Sequence, residues 1–411
     1  MALRLPPAGL DPAQAMPVRE ERWETYDCEL VTPLYGGGVT AGEVDEKMPV
    51  RASAIRGQLR FWWRLLARHR RKLVGNELRR EEFDLWGGLG KPVQASKLWL
   101  RVSEVRGIEM APWANYTKNW NSTWKGLPDP ETWAKAPYAL FPAQGRRPGL
   151  RDSQSPAELA RPGLQWRLEM SFANGCSDIQ IAECVEALRW WASFGGIGAR
   201  SRRGLGAVCV QGLTAVDATE AAAIGCTLVL AGATQTTATP AWIAAIEKLQ
   251  CFRQAEGIGR NPRTQGRPGR SRWPEADAIR RLTQRHAPQH PPQHPGGQVF
   301  PRAAFGLPII FQFKDEKAGD PAPFALQPEN ADRLASPVIL RPYRRADGKW
   351  FSAALLLPHD HAMNMALVMP DKSVAPAARW LDPASPLLRA PLGQDALHAF
   401  LEFFSGQAGG R

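Results

Sequence analysis

Long apolar runs are missing from this 411-residue chain. Its most apolar stretch, Ala221 to Ala233, is broken by Gly225 and Thr227 and falls short of the ~18 residues that a bilayer span needs. The start is Pro-rich (Pro6, Pro7, Pro12, Pro17) and carries Arg4 with no apolar segment after it, unlike a secretory leader. No membrane association is expected, and the expected location is cytoplasmic. Paired cysteines are missing as well: Cys28, Cys176, Cys184, Cys209, Cys226 and Cys251 form no CxxC unit. That excludes a disulfide scaffold and a structural zinc site, and it suits reduced, buried thiols. Histidine is scarce, with seven in the chain, so general-base chemistry has few candidates.

Cationic and aromatic residues are plentiful. Fifty-two Lys+Arg against 40 Asp+Glu leave a formal charge of +12, and there are 16 Trp. Arg, which outnumbers Lys, offers a planar fork suited to phosphate and to stacking on bases. Aromatic faces beside cations are the ingredients of single-stranded nucleic-acid binding. A GC-rich coding sequence also enriches Arg, Ala, Gly and Pro, so composition alone does not decide. The length suits two domains of ~150 residues or somewhat more.

The first half alternates strand and helix patterns. Trp23 to Val31 places Tyr26, Cys28 and Leu30 on one face and Thr25, Asp27 and Glu29 on the other, as a half-buried strand does. After the loop Tyr35-Gly36-Gly37-Gly38, Ser53 is expected to cap a helix to about Val74. Ile55, Leu59, Trp62, Leu66 and Leu73 form its apolar stripe, with Arg56, Arg60, Arg64, Arg68 and Arg71 opposite. A short helix capped by Asn76 follows, then a strand from Lys97 to Val105. An insertion, 106–161, carries Trp113, Trp120, Trp124 and Trp133. A strand from Leu164 to Phe172, a helix from Ser177, a Gly-rich loop 194–206 and a last strand from Ala207 to Leu213 complete the order βαββαβ. This is the ferredoxin-like (RRM-like) plan, an α+β fold with an antiparallel sheet and both helices on one face.

Residues 1–20 read as a mobile extension and 21–215 as the first domain, with the boundary near Val216. In 216–411, helices are expected at 240–254, 273–282 and 395–404, and strands at 308–314, 337–341 and 350–358. A second small α+β domain fits, with mobile loops at 257–272 and 286–297.

The Gly-rich loop holds three arginines, Arg200, Arg202 and Arg203, among its glycines. Glycines let backbone N–H groups approach phosphate, and arginines add charge-assisted hydrogen bonds. Neither GxGxxG nor GxxxxGK[ST] matches, and the order helix–loop–strand is the reverse of a nucleotide loop. RNA contact is favoured over a flexible surface turn because the cluster is dense. The arginine stripe of the first helix also suits a plain solvated face. Arg51, Ser53 and Arg56 at its N-terminus differ, since the helix dipole favours an anion there. The four insertion tryptophans can stack on bases or form a satellite core, and the core is favoured slightly. His69 lies near the apolar stripe and reads as packed. Intervening prolines keep His286, His290 and His294 from one helix face, and His359-Asp360-His361 lacks a third ligand of diagnostic spacing. No metal and no cofactor are expected. Glu43, Asp45 and Glu46 read as a solvated loop.

Several segments together resemble the RAMP superfamily of CRISPR proteins, and within it the first-numbered subunit of type III-B Cmr effectors. They are Thr32-Pro33-Leu34-Tyr35-Gly36-Gly37-Gly38, the run Arg51-Ala52-Ser53-Ala54-Ile55-Arg56-Gly57-Gln58-Leu59-Arg60-Phe61-Trp62-Trp63-Arg64, and loop 194–206. Arg272-Trp273-Pro274-Glu275, 300–308 and 335–341 add to it, so the resemblance spans about 22–360. It implies two ferredoxin-like domains packed around a basic cleft, and a non-catalytic subunit holding the 3′ region of the guide RNA and its paired target beside sister Cmr subunits. Carried over, Gly36, Gly37, Gly38, Arg51, Ser53, Arg56 and Arg60 would line the cleft, and Gly196, Gly198, Arg200, Arg202 and Arg203 the phosphate loop. Two other functions stay open: a metal-independent endoribonuclease using His69 or the 43–46 acids, and an assembly subunit that touches only sister proteins.

Overall fold

The computed structural model describes residues 22–90, 93–264, 269–295, 297–370, 372–379 and 395–406. The expected extension 1–20, residues 265–268 of the basic loop and Gly296 lie outside them.

The first unit comprises β1 (Glu24–Leu30), α1 (Ala52–Arg70), α2 (Gly75–Trp86), β2 (Leu98–Arg106), β3 (Gln165–Phe172), α3 (Asp178–Phe194) and β4 (Val208–Val210). Its sheet runs β2-β3-β1-β4 with every pair antiparallel. β1 and β2 are therefore parallel and split by β3, the arrangement a βαββαβ chain produces when both helices lie on one face. The apolar stripe of α1 is buried as its spacing predicts: Ile55, Leu59, Trp62 and Leu66 join Cys28, Leu30, Trp166, Leu168 and the α3 residues Trp190, Trp191 and Phe194 in one core.

Helix starts differ from expectation. Arg51, in extended backbone, is the N-cap of α1 and makes no side-chain cap bond, while Ser53 sits exposed in the first turn. The helix stops at Arg70 because Lys72 takes φ 59°, and Val74 rather than Asn76 precedes α2. At α3 the reading holds, with Ser177 and Gln180 forming a reciprocal capping box.

The second half contains β5 (Thr227–Gln235), α4 (Ala238–Gln254), α5 (Glu275–Thr283), β6 (Ile309–Phe311), β7 (Phe324–Pro328), β8 (Val338–Arg344), β9 (Trp350–Leu356), β10 (Leu367–Met369), β11 (Lys372–Val374) and α6 (Ala396–Ser405). A three-stranded sheet, β8-β9-β5, repeats the split pairing of the first unit, but no fourth strand joins it among the described residues. A separate four-stranded sheet, β6-β7-β10-β11, has its own small core around Ile279, Phe300, Leu326 and Leu367. Its strands come from both sides of β8 and β9, a pairing that no local periodicity announces.

The second sheet is covered on both faces. Val338, Leu340, Ala354 and Leu356 pack with Trp242, Ala245 and Leu249 of α4. Ile339, Tyr343, Ala353 and Leu355 belong to the core of the first unit instead. There Phe194 and Tyr343 stack at 6.2 Å, and the Tyr343 hydroxyl donates to the Val216 carbonyl at 3.0 Å. Insertion 106–161 also bridges the halves: Trp113, Ala139 and Leu140 share the α4 core, and Trp113 Nε1 donates to Ala143 O at 2.8 Å. Trp124 and Trp133 are half-buried, and Trp120 is exposed. Of the four, only Trp113 is core. Parts of the two loops expected to be mobile are tied down: Asn261 N–H bonds Arg270 O at 2.9 Å, and the Gln293 and His294 N–H groups bond Asp277 Oδ2.

Arg341, 3% exposed on β8, seals the junction. Its guanidinium donates to Gly195 O (2.9 Å), Val208 O (3.1 Å) and Pro342 O (3.0 Å). Burial pushes its pKa down to about 10, so the cation persists at neutral pH. Replacing Arg341 by Met would strand these carbonyls in a dry interface, at roughly 1–3 kcal/mol for each left unpaired. A loss of at least roughly 3 kcal/mol is expected from urea unfolding of R341M, at about 1 kcal/mol or more for each of the three carbonyls, and an unchanged midpoint would refute the sealing role.

An arginine cluster as candidate nucleic-acid interface

The two glycine segments singled out in the sequence meet. Thr32 Oγ1 donates to Gly204 O at 2.6 Å and accepts from Ala207 N at 2.8 Å. Gly206 N–H bonds Pro33 O at 2.8 Å, and Ala199 N–H bonds Tyr35 O at 2.7 Å. The contact is backbone on backbone. A Cβ on Gly198 (φ +71°) would lie 2.4 Å from Leu34 Cδ1, and one on Gly206 (φ +65°) would lie 1.9 Å from Ile197 O. Gly37 faces Gly198 Cα in the same way, Gly36 faces Ala199, Gly196 faces the Gly206 carbonyl and Gly38 the Glu43 carbonyl. Gly36, Gly37 and Gly198 thus close one loop on the other, while Gly38, Gly196 and Gly206 tighten their own loops.

That closure fixes the arginine turn. Arg200 (φ 59°) and Gly204 (φ 73°) bracket the 3₁₀ turn Ser201–Arg203 in left-handed conformations. Arg202 donates to Ser336 O and lies 5.4 Å over the Phe61 ring. Arg203 donates to Arg202 O and Val338 O, both at 3.1 Å. Arg200 lies 4.8 Å over Phe141, and its buried Nε has no hydrogen-bond partner. Arg253, in the last turn of α4, lies 5.5 Å over Phe305 and shares a hydrogen bond with Tyr138. None of these four arginines has an ion-paired carboxylate among the described residues. Burial lowers the pKa of each, and for Arg203 burial followed by the charges of Arg253 and Arg200 pushes it to about 9. Four like charges with aromatic and carbonyl neighbours make a site that an anion would stabilise.

The helix residues do not join this cluster. Arg51 pairs with Asp45 at 3.1 Å. Arg56 is spent on Ser96 Oγ (2.5 Å) and Leu98 O (2.9 Å). Arg60 pairs with Glu82, which also takes Arg64 at 3.2 Å. Further along, Arg71 meets Glu81 and Glu183. On the sheet face turned away from the helices, Arg101 pairs with Glu169, and Arg167 with Glu104 and Asp27. That face is neutralised too. Arg253 carried no sequence signal of its own beyond the general arginine excess, and Arg341 only closes the 335–341 segment of the resemblance.

Residues 27–209, which run from β1 into β4, match the model of the RAMP superfamily. Among solved structures, the apo crystal structure of Cmr1 from Pyrococcus furiosus is similar at 16% identity and TM-score 0.42, over 82% of this chain and 88% of that one. A chain of the type III-B Cmr-beta complex bound to cognate target RNA gives 9% identity and TM-score 0.44, over 83% and 95%. A chain of a type IV-B CRISPR complex gives 14% and 0.27, over 46% and 89%. No curated protein matches.

Two histidine–carboxylate groups lie elsewhere. His359, Asp395 and His398 bring ligand-type atoms within 4.8 Å of one another, as do His290, Asp315 and Asp320. The 359–361 triplet itself is not assembled, because Asp360 and His361 belong to a separate helical turn. His359 Nδ1 lies 3.1 Å from Leu357 O and Nε2 2.8 Å from Asp395 Oδ2. The ring can donate from both nitrogens only as imidazolium. Burial opposes that charge, but the Asp395 hydrogen bond outweighs it and raises the His359 pKa. Burial pushes Asp395 up, and its bonds from His359 and His398 win, holding it well below the usual carboxylate range. Asp395 also caps α6 through the Leu397 and His398 N–H groups. The raised His359 pKa stabilises the fold below about pH 6.5 and ceases to do so as pH rises through the folded value. The depressed Asp395 pKa acts oppositely, failing only in strong acid. Stability of the chain is therefore expected to decline above about pH 6.5 in denaturant titrations. The decline should flatten in H359Q, and one of equal size there would remove His359 from the account.

Proposed function

We propose that this protein is a non-catalytic RNA-binding subunit of a type III-B CRISPR (Cmr) effector complex, built on two ferredoxin-like units. In this reading it holds the 3′ region of the guide RNA and its paired target, beside sister subunits. The observation that carries it is the turn at 200–203 with Arg253, where four arginines stand without an ion-paired carboxylate among the described residues. On α1 and the open sheet face, by contrast, Arg60, Arg64, Arg70, Arg101 and Arg167 are matched by Glu and Asp. A protein with free choice of pairing leaves cations uncompensated where a polyanion completes them. The RAMP-superfamily match and the motifs at 32–38 and 51–64 supply the class of complex.

Contacts through backbone phosphates suit a subunit that accepts any guide sequence. The ribonuclease alternative is disfavoured by the dispersal of its candidates: Asp45 is tied to Arg51, and His69 lies against Gly225 with its pKa lowered by burial. Among the described residues no helix is long and apolar enough to cross a membrane. A groove between α1 and α3, lined by Trp63, Leu66 and the exposed Ile179, supports docking of a sister subunit.

Fluorescence anisotropy of the full chain with labelled single-stranded RNA across a NaCl series tests the reading. The slope of log K against log salt should fall by about 0.7 for every phosphate that the protein ceases to neutralise. R200A/R253A is thus expected to flatten it by about 1.4, since 0.7 applies twice. A folded double variant with the wild-type slope would dismiss the cluster as the RNA site.

A further inference from the structure

The loop after β1 and the insertion enclose a cleft of about 570 Å³ lined by Tyr35, Glu43, Glu46, Phe141, Arg146 and Glu158, among others. It adjoins the arginine turn, because Arg200 covers one side of Phe141 at 4.8 Å while that ring stays 57% exposed. The loop that carries Glu43 and Glu46 is braced by its own hydrogen bonds. Gly38 N–H bonds Glu43 O at 2.9 Å, and Asp45 accepts from the Lys47 and Met48 N–H groups at 3.1 Å each and from Arg51. Glu43 and Glu46 are exposed on this braced loop, and neither is ion-paired among the described residues.

We propose that this cleft receives one unstacked nucleobase of the bound RNA and selects a base that carries an exocyclic amino group. The inference rests on the RNA-binding reading and adds a preference to it. An aromatic face open to a base-sized cleft beside a cation is the arrangement on which bases stack. Carboxylates on the rim accept from an amino group such as N4 of cytosine. Uracil presents the O4 carbonyl at the same place, an acceptor facing an acceptor, and is rejected by the unpaired carboxylate. The phosphate of the same nucleotide then falls to the Arg200 guanidinium, which stacks on the other side of Phe141. The cleft therefore reads one base, where the arginine turn reads none.

The test compares 20-nucleotide oligo(C) and oligo(U) RNA, two pyrimidines of similar size, by anisotropy on the full chain at neutral pH and fixed salt. Oligo(C) is expected to bind about ten-fold more tightly. In E43Q/E46Q the ratio should fall to about one; the ratio is the readout because removing two negative charges strengthens binding of both RNAs. F141A should weaken both. Equal wild-type affinities with steep salt dependence would overturn the base pocket and leave the phosphate reading standing. A preference for oligo(C) that survives E43Q/E46Q would also overturn it. Wild-type binding of both RNAs no tighter than that of a generic basic protein would bring down both proposals. The wild-type comparison needs no variant, so poor folding of E43Q/E46Q cannot shelter the inference.

Discussion

Two loops pressed closely together hold this molecule's architecture in place. Residues 32–38 leave β1 and residues 195–206 lead into β4; the Thr32 hydroxyl and the Pro33 and Tyr35 carbonyls bond across, at an approach that a Cβ on Gly198 would forbid. Left-handed φ values at Gly37, Gly198, Gly204 and Gly206 make the approach possible. From it follow the orientation of the arginine turn and the position of Gly195 O, which Arg341 then bonds from the second unit. The same contact thus sets both the candidate site and the junction between the halves.

Charge is deployed in two ways. Along α1 and across the open sheet face, guanidinium groups meet carboxylates and are largely spent on the fold's own surface. Exposed pairs of this kind add little stability each, yet they remove positive potential from those faces. At the turn, Arg202 and Arg203 bond carbonyls of the Ser336–Val338 segment instead. A carbonyl positions a guanidinium without cancelling its charge, so these arginines keep their charge where the two units meet. Rim acids Glu43 and Glu46 then give that positive region one local exception.

Alternation and capping made much of the first unit legible. The β1 pattern, the α1 stripe and the Ser177–Gln180 box depend on neighbours a few residues apart, and each was recoverable from the chain alone. Helix starts were less so, since Ser53 is a good cap by type and yet Arg51 occupies the cap position with no side-chain bond. β5 escaped notice because its residues, Thr227–Gln235, are Ala- and Gly-containing and only partly buried. β6, β7, β10 and β11 are three- to five-residue strands, and β7 finds its partner β10 some forty residues further along the chain.

By itself, then, the sequence determined the local elements, the basic balance and the motifs that resemble the RAMP superfamily. Which arginines keep their charge available was decided only by tertiary structure. Arg56, Arg60 and Arg203 are alike in sequence terms, each in a basic segment of the chain. Folding sets Arg60 beside Glu82, Arg56 against Ser96 and Leu98, and Arg203 against a bare carbonyl. The reason is electrostatic: a cation's fate depends on what lies within a few ångströms of it, and those neighbours come from parts of the chain 22, 40, 42 and 135 residues away.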